Sequence, residues 1–185
     1  MGTAQQPLTK AESSNYTETS LHADVMTFLA ALDARRDPRF ALSSFGASPE
    51  GRDLPLVVLS KDGFRTPEEA HASGKPVVLV INGIHSGEVE GKESCLMILR
   101  DHLLGDRHAF LEDLVLVVVP LFNPDGNDRI DPKNRELNLA KLEGHIGPIK
   151  GVGTRVNASG VNLNRDYMKQ EALEMRLLSS RVFRP

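Results

Sequence analysis

Apolar positions in the first third of the chain predict one helix followed by two strands. In residues 18–36 the apolar side chains recur at the spacing of one helix face, namely Leu21, Val25, Phe28, Leu29 and Leu32. Residues 40–45 and 54–60 are short apolar segments, and residues 48–51 between them have the composition of a turn. Residues 61–74 then form a polar connection.

The middle of the chain has the pattern of a strand, a helix and a second strand. Residues 76–81 and 114–121 are continuous apolar runs, as expected for strands that are buried on both faces. Residues 88–104 between them carry apolar side chains at helical spacing. This order predicts a right-handed crossover between parallel strands. The sequence therefore predicts an α/β fold with a mixed, partly parallel sheet flanked by helices.

The region after the second buried strand begins with a turn and then loses its periodicity. Residues 123–126, with the sequence NPDG, form the turn. Residues 127–160 are rich in Gly, Asn and charged side chains, and about thirty irregular residues are too long for a passive connection, which favours a functional loop. Residues 161–165 are expected to be extended, and residues 170–178 to begin a helix.

The composition of the 185-residue chain removes several classes of function. Its net charge is −3, whereas a protein that neutralises many phosphates is usually basic, so nucleic acid is not expected as a partner. No apolar run approaches the roughly 18 residues that span a bilayer, so no membrane span is expected. The single cysteine, Cys95, excludes an internal disulfide and is expected to be a buried helix residue. Any metal ligands must therefore be His, Asp or Glu side chains.

His85 and Glu88 are the first candidates for metal-ligating residues. They follow the strand at 76–81 and open the next helix, at the edge of an α/β sheet where ligands bind. Imidazole and carboxylate groups both bind zinc, and a three-residue spacing on a turn can direct both at one point, within about 5 Å of each other. The alternative is a surface histidine followed by an acid that favours the first helical turn.

A second candidate site comprises Asn162, Asn164 and Arg165. Two amides and a guanidinium around one apolar residue suit the capture of a carboxylate, which a guanidinium binds through two hydrogen bonds. Arg155, in the irregular loop, is a third candidate, because a nearby cation stabilises an oxyanion. Surface ion pairs and solvated charges are the alternative interpretations of the two arginines.

Three segments that carry these residues occur in one order along the chain: NGIHSGEVEGKES, PLFNPDGNDR and TRVNASGVNLNRDYMK. Together they resemble the zinc metallocarboxypeptidases, the carboxypeptidase A-like family, over about residues 18–176. The resemblance implies a zinc carboxypeptidase-like α/β domain of which only the N-terminal part is present, and therefore an incomplete sheet. Residues 1–17 are then a polar N-terminal segment, loosely ordered at its start, and residues 177–185 an atypical C-terminal end.

The family's functional residues carry over by matching motifs. His85 and Glu88 match the H-x-x-E zinc pair, and residues 123–126 match the NPDG turn of the family. Asn164 and Arg165 match the pair that holds the terminal carboxylate of the substrate. The resemblance thus implies zinc as the cofactor and a peptide with a free C-terminal carboxylate as the substrate.

Arg155 matches the arginine that polarises the scissile carbonyl in this family. The loop around it varies in length among family members, so Arg129 and Arg135 compete for the same role. The resemblance therefore implies one catalytic arginine and names three positions for it, with Arg155 preferred.

The chain departs from the family at the third zinc ligand and the general base. The family's third ligand is a histidine downstream of the Asn–Arg pair, whereas the last histidine here, His145, precedes that pair. The family's general-base glutamate and substrate-closing tyrosine lie further downstream still. After Arg165 only Glu171 and Glu174 remain, and Tyr167 lies within the motif itself. We therefore expect a truncated and inactive form of a metallocarboxypeptidase.

Two alternatives stay open at this point. One is a zinc amidohydrolase of the aspartoacylase or succinylglutamate desuccinylase kind, which shares both motifs, and the other is a non-catalytic remnant that binds carboxylates. A serine hydrolase is not expected, because Ser86 has no His and Asp arranged as its base. The N-terminus lacks the apolar core of a signal peptide, so the chain as given is expected to be cytoplasmic. A secreted or periplasmic form whose leader had been removed would look the same.

Overall fold

The computed structural model describes residues 6–105, 109–135 and 147–183. Within these ranges the strands are β1 Phe40–Ala47, β2 Asp53–Leu59, β3 Val77–Ile81 and β4 Val115–Val119. The α-helices are α1 Lys10–Ser13, α2 His22–Asp33, α3 Pro67–Ala72, α4 Val89–Leu104, α5 Pro124–Asp128 and α6 Leu173–Leu178. Short 3₁₀ helices cover Ala109–Glu112, Pro132–Arg135 and Leu163–Arg165, and a π-helical turn covers Ser179–Phe183.

The strands form one sheet in the order β1-β2-β4-β3. β1 pairs antiparallel with β2, and β2 pairs antiparallel with β4, with Val58 opposite Val117. β3 and β4 are parallel, with Leu79 opposite Val117, and α4 forms the crossover between them. The prediction of a mixed, partly parallel sheet flanked by helices is therefore confirmed.

The sheet separates two layers of apolar side chains. α2 and α4 cover one face, with Leu29 and Leu96 in that layer. α6 covers the other face, with Met175 among its buried side chains. In β2, Val57 belongs to the first layer and Val58 to the second, which is the alternation expected of a strand. Burying each such side chain contributes about 1.5–3 kcal/mol, so both layers hold the sheet in place.

β3 occupies a different position from the one its composition suggested. The run at 76–81 was expected to be buried on both faces, but among the described residues β3 pairs only with β4 and lies at the edge of the sheet. Val78 is 41% exposed, and the strand as a whole is half-buried. An apolar run alone does not distinguish an inner strand from an edge strand, because the difference depends on a pairing partner.

Several predicted boundaries also change. The polar connection at 61–74 contains α3, because Thr66 caps the helix and Pro67 occupies its first position. The predicted helix at 18–36 starts later, at His22 of α2, because Thr19 and Ser20 form hydrogen bonds with Glu93 of α4 instead. Residues 163–165 form a 3₁₀ helix rather than an extended segment. The last helix begins at 173 rather than 170.

The polar N-terminal segment is fixed against α4 in its described part. Arg100 of α4 pairs with Glu12 of α1 at 2.7 Å. Arg100 also donates to the carbonyl oxygen of Pro7 at 3.1 Å. Directly after the segment, the buried carboxylate of Glu93 accepts hydrogen bonds from the hydroxyl groups of Thr19 and Ser20 at 2.8 and 3.0 Å. Polar pairs far apart in sequence therefore order this segment, and residues 1–5 lie outside the described residues.

Two smaller expectations can be compared with the structure directly. Cys95 is a buried residue of α4, as expected, and burial raises the pKa of its thiol to about 12, so it stays a thiol near neutral pH. In the part of the chain that the structure describes, each helix is too short or too polar to cross a bilayer.

Candidate active site

The loops after β3 and β4 lie side by side because the parallel pairing continues beyond the two strands. The amide of Asn82 donates to the carbonyl oxygen of Val119, and the amide of Phe122 donates back to that of Asn82, both at 2.9 Å. Gly83 has a φ of +63°, and a Cβ there would lie 2.8 Å from the Leu121 side chain. Glycine therefore allows the first loop to turn tightly against the second, at the carboxyl ends of the strands.

His85 and Glu88 face each other at this edge. His85 Nδ1 lies 2.9 Å from Glu88 Oε1, which confirms the expectation that the two side chains project to one point within about 5 Å. The ring is 5% exposed and the carboxylate 56% exposed. Glu88 is the N-cap residue of α4, but its side chain makes no capping hydrogen bond. Its carboxylate is therefore directed at the histidine rather than at the helix.

The second nitrogen of His85 is held by an amide that the sequence interpretation did not single out for this role. Asn162 Oδ1 lies 2.9 Å from His85 Nε2 and also accepts a hydrogen bond from the backbone amide of Asn164 at 3.1 Å. The backbone donor identifies this atom of Asn162 as the oxygen, so His85 Nε2 must carry the hydrogen.

This tautomer decides what the other ring nitrogen of His85 can do. With the hydrogen on Nε2, Nδ1 of the neutral ring presents a lone pair to the carboxylate oxygen of Glu88. Two acceptors 2.9 Å apart are satisfied only when a proton or a metal cation lies between them. The donor set of one imidazole nitrogen and one carboxylate therefore fits a zinc ion, as two of its ligands.

Arg155 approaches the same carboxylate oxygen. Its Nη1 lies 3.3 Å from Glu88 Oε1, and the guanidinium is partly exposed. The competing Arg129 pairs with Glu50 instead, on the turn between β1 and β2. Of the three arginines, Arg155 is the one for which the structure records an ion pair with a predicted site residue. Its exposure leaves the guanidinium free to exchange Glu88 for another oxygen.

Asn164 and Arg165 lie on the 3₁₀ helix that follows Asn162. Buried Leu163 anchors this turn in the core, while Asn164 and Arg165 after it are exposed. Arg165 Nη1 donates to the carbonyl oxygen of Asn164 at 3.0 Å. The structure thus brings the turn to His85 through Asn162 and leaves the Arg165 guanidinium facing solvent. The role of the pair as a carboxylate anchor stays a prediction.

The glutamates and the tyrosine after the motif do not complete the site in this structure. Glu174 is fully buried, and its carboxyl group accepts hydrogen bonds from Asn157 Nδ2 at 3.1 Å. Burial raises the pKa of Glu174, and it also raises the pKa of Tyr167. In the described ranges no three His, Cys, Asp or Glu side chains are grouped as a metal site requires. His145 lies outside the described residues.

Two residues of this region were not assigned a structural role from the sequence. The sequence indicates Asn162 only as part of a carboxylate-binding motif, and it indicates Ser86 only as a nucleophile that lacks a base. Ser86 is buried and donates its hydroxyl hydrogen to the carbonyl oxygen of Asn123 at 2.9 Å. A short polar side chain directly beside a candidate ligand, and an Asn two residues before another Asn, were the available signals for these contacts.

Comparison with known proteins identifies the family of the chain. The sequence profile named zinc carboxypeptidase matches residues 25–181. Carboxypeptidase Z of Rattus norvegicus is 28% identical over 169 residues, which cover 88% of this chain and 24% of that protein. The chain therefore spans about a quarter of the length of this curated relative.

Two solved structures are similar in fold. The metallo-carboxypeptidase from Burkholderia cenocepacia gives a TM-score of 0.56 at 24% identity, over 85% of this chain and 36% of that chain. Carboxypeptidase A from Helicoverpa armigera gives a TM-score of 0.56 at 15% identity, over 89% of this chain and 42% of that chain. These relatives are carboxypeptidases by name, so the amidohydrolase alternative gains no support from them. Because the profile match covers most of this chain, residues 25–181, the chain belongs to the zinc carboxypeptidase family.

Proposed function

We propose that this chain supplies one part of the active site of a zinc metallocarboxypeptidase that hydrolyses the C-terminal peptide bond of peptides. The observation that carries the proposal is the position of Glu88 Oε1 between His85 Nδ1 and Arg155 Nη1. A candidate metal pair and a candidate oxyanion-stabilising cation thus meet at one oxygen. Asn162 joins this point to the turn that carries Arg165, the proposed carboxylate anchor.

Zinc is the cofactor of this proposal, and its two ligands from the described residues are His85, through Nδ1, and Glu88. When bound, zinc would polarise the scissile carbonyl group and lower the pKa of water. The orientation of His85 supports this assignment, because the hydrogen bond from Nε2 to Asn162 leaves Nδ1 for the metal.

The arginines and the amide act on the substrate itself. Arg155 would leave Glu88 and donate to the carbonyl oxygen of the scissile bond, where negative charge develops during attack. The exposed guanidinium of Arg165, assisted by Asn164, would bind the terminal carboxylate through two hydrogen bonds. Holding that carboxylate fixes which peptide bond reaches Arg155, so cleavage is terminal rather than internal.

Residues 1–185 alone are proposed to be inactive. Catalytic zinc sites use three protein ligands, and the described residues offer two at this point. Glu174, one of the two glutamates downstream of Arg165, is fully buried and its carboxyl group is occupied by hydrogen bonds from Asn157. A missing general base typically costs 10²–10⁴-fold in rate.

Zinc titration of residues 1–185 by calorimetry tests the incompleteness of the site. We expect weak binding that is lost in both His85→Ala and Glu88→Ala, with His71→Ala as a control that leaves binding unchanged. Tight binding and chelator-sensitive release of C-terminal amino acids would overturn the proposed inactivity. His145→Ala would then be the first variant to make, because His145 is the one histidine in the loop between the two motifs.

The reaction itself is tested on the protein made from the complete gene. We expect release of the terminal residue from peptides with a free carboxylate and much slower release of the same residue as an amide. Arg165→Ala should remove most of this discrimination, whereas Arg129→Ala, which removes one of the two arginine partners of Glu50, should keep it. Preferential hydrolysis of N-acyl amino acids would instead support the amidohydrolase, and absence of any zinc binding would support the non-catalytic remnant.

A further inference from the structure

The NPDG turn at residues 123–126 is buried, yet the proposed mechanism gives it no part. The side chains of Asn123 and Asp125 are fully inaccessible to solvent. Asn123 caps α5 by accepting a hydrogen bond from the amide of Gly126 at 3.0 Å. Charged side chains are rarely buried unless their partners hold them, so the contacts of Asp125 indicate what the turn does.

Asp125 is anchored to the turn between β1 and β2. Its Oδ1 accepts hydrogen bonds from Ser48 Oγ at 2.7 Å and from Arg52 Nη1 at 2.8 Å. Its Oδ2 accepts one from the backbone amide of Glu50 at 3.2 Å. Three donors, one of them charged, therefore fix this carboxylate in a place that water does not reach.

The backbone of the same turn holds both sides of the candidate site. The carbonyl oxygen of Asn123 accepts from the hydroxyl group of Ser86, the residue next to His85. The carbonyl oxygen of Gly126 accepts from the amide of Thr154 at 2.9 Å, the residue next to Arg155. One turn thus binds the neighbour of the metal ligand and the neighbour of the proposed oxyanion-stabilising arginine.

The NPDG turn and residues 153–156, the loop that carries Arg155, are closely packed against each other. A Cβ on Gly126 would lie 2.6 Å from the carbonyl oxygen of Val156, and a Cβ on Gly153 would lie 2.4 Å from that of Gly126. The two backbones therefore pack directly on each other. Any displacement of the turn must displace the loop as well, because close-packed backbone transmits strain.

We propose that Asp125 is a positioning residue of the candidate site, which through the carbonyl oxygens of Asn123 and Gly126 sets the separation of His85 and Arg155. Arg52 and Ser48 hold Asp125 in place, so the turn between β1 and β2 belongs to the support of the site. The inference rests on the proposed function for the roles of His85 and Arg155, but not for the contacts themselves.

The test compares Asp125→Asn and Asp125→Ala with Asp128→Asn in residues 1–185. Asp128 is a matched control because its carboxylate also pairs with Arg52, at 3.2 Å, but lies at the end of α5. Two local readouts are measured at one pH: the ¹⁵N shifts of the His85 ring nitrogens and the hydrogen exchange of the Thr154 amide. Urea unfolding gives the global stability against which both are compared.

In Asp125→Ala we expect changed His85 ring shifts and Thr154 exchange about ten-fold faster relative to the amides of β2. Asp125→Asn keeps one oxygen for Ser48 and Arg52, so its effects should be intermediate. Asp128→Asn should match the parent in both local readouts, whatever its stability, because the other contacts of Asp128 are with His22 and Asn127. If Asp125→Ala does not fold, Asp125→Asn and Ser48→Ala decide the question by the same readouts.

The inference is overturned if global stability falls while the Thr154 and His85 readouts keep their parental values, or if Asp128→Asn changes them equally. These measurements need neither zinc nor hydrolysis. A failure of the positioning role is therefore distinguishable from a failure of the proposed function, which is decided by zinc titration and product release.

Discussion

The two sides of the candidate site are built in different ways. On the His85 side the ring is buried, its Nε2 is held by Asn162, and the hydroxyl of neighbouring Ser86 is tied to the NPDG turn. On the other side, Asn164 and Arg165 are exposed on a short helix, and the Arg165 guanidinium donates to its neighbour's carbonyl oxygen. The His85 side is part of the folded core, whereas the Asn164–Arg165 side lies on the surface and is attached to that core. Changes on the enclosed side should therefore alter stability, and changes on the open side should alter ligand binding alone.

The enclosed side is tested most severely by Gly126→Ala. The added methyl group would meet the carbonyl oxygen of Val156 at 2.6 Å and the side-chain Nδ2 of Asn123 at 2.5 Å. We expect a loss of about 1–3 kcal/mol in the free energy of unfolding, measured by urea denaturation, because overpacked sites relax incompletely. Asn164→Ala, on the open side, is the control and should stay within about 0.5 kcal/mol of the parent. Equal losses in the two variants would erase the distinction between the sides.

Asn162 lies where the two sides join, so its substitution should affect the metal more than the fold. Asn162→Ala frees the His85 ring to rotate, and we expect the affinity for zinc to fall about 10–100-fold. Asn162→Asp keeps an acceptor for His85 Nε2 and should retain most of the affinity. Calorimetric titration with zinc measures both. Unchanged affinity in Asn162→Ala would mean that the hydrogen bond does not orient the ring.

The contrast between the two sides also shows which features of the site can be predicted from the sequence. His85 and Glu88 were found because one loop carries both, and a spacing of three residues fixes their geometry whatever surrounds them. The contact of His85 with Asn162 spans 77 positions, and no local pattern encodes such a distance. The same limit explains Asp125 and Arg52, whose pairing depends on how a sheet turn meets α5.

Composition likewise predicted which segments are strands, but it did not predict where each strand lies in the sheet. β3 and β4 have nearly the same apolar character, yet β4 is buried throughout while β3 lies at the edge with Val78 exposed. The amphipathic α2 was predictable because helical periodicity is local. Its start at His22 was not, because the residues before it bind Glu93 of α4 across more than seventy positions.

Buried Glu174 should make the stability of the fold depend on pH. Burial, together with the nearby carboxylates of Asp125 and Asp166, raises its pKa above the unfolded value of 4.5. The folded state therefore binds the Glu174 proton more tightly than the unfolded state does. The contribution of this proton to the stability of the fold is complete below pH 4.5 and is lost as pH rises through the raised pKa. Glu174→Gln keeps an acceptor for Asn157 and removes the ionisation, so its stability relative to the parent should increase as pH rises above 4.5.

Urea denaturation at a series of pH values measures this difference, and Glu171→Gln, an exposed neighbour, is the control that should show no such trend. A difference between Glu174→Gln and the parent that is the same at every pH would contradict the raised pKa. It would leave only a packing effect of the substitution.

The smallest effect on the fold is expected from Arg165→Ala. The guanidinium is exposed and donates to the carbonyl oxygen of Asn164, an acceptor that water can serve equally well. Because Leu163 anchors the turn in the core without help from this side chain, the free energy of unfolding should change by less than about 0.5 kcal/mol. Urea denaturation at neutral pH checks this in residues 1–185. A loss of more than about 1 kcal/mol in the free energy of unfolding would mean that the Arg165 side chain stabilises the turn. The Asn164–Arg165 side would then contribute to the fold, as the His85 side does.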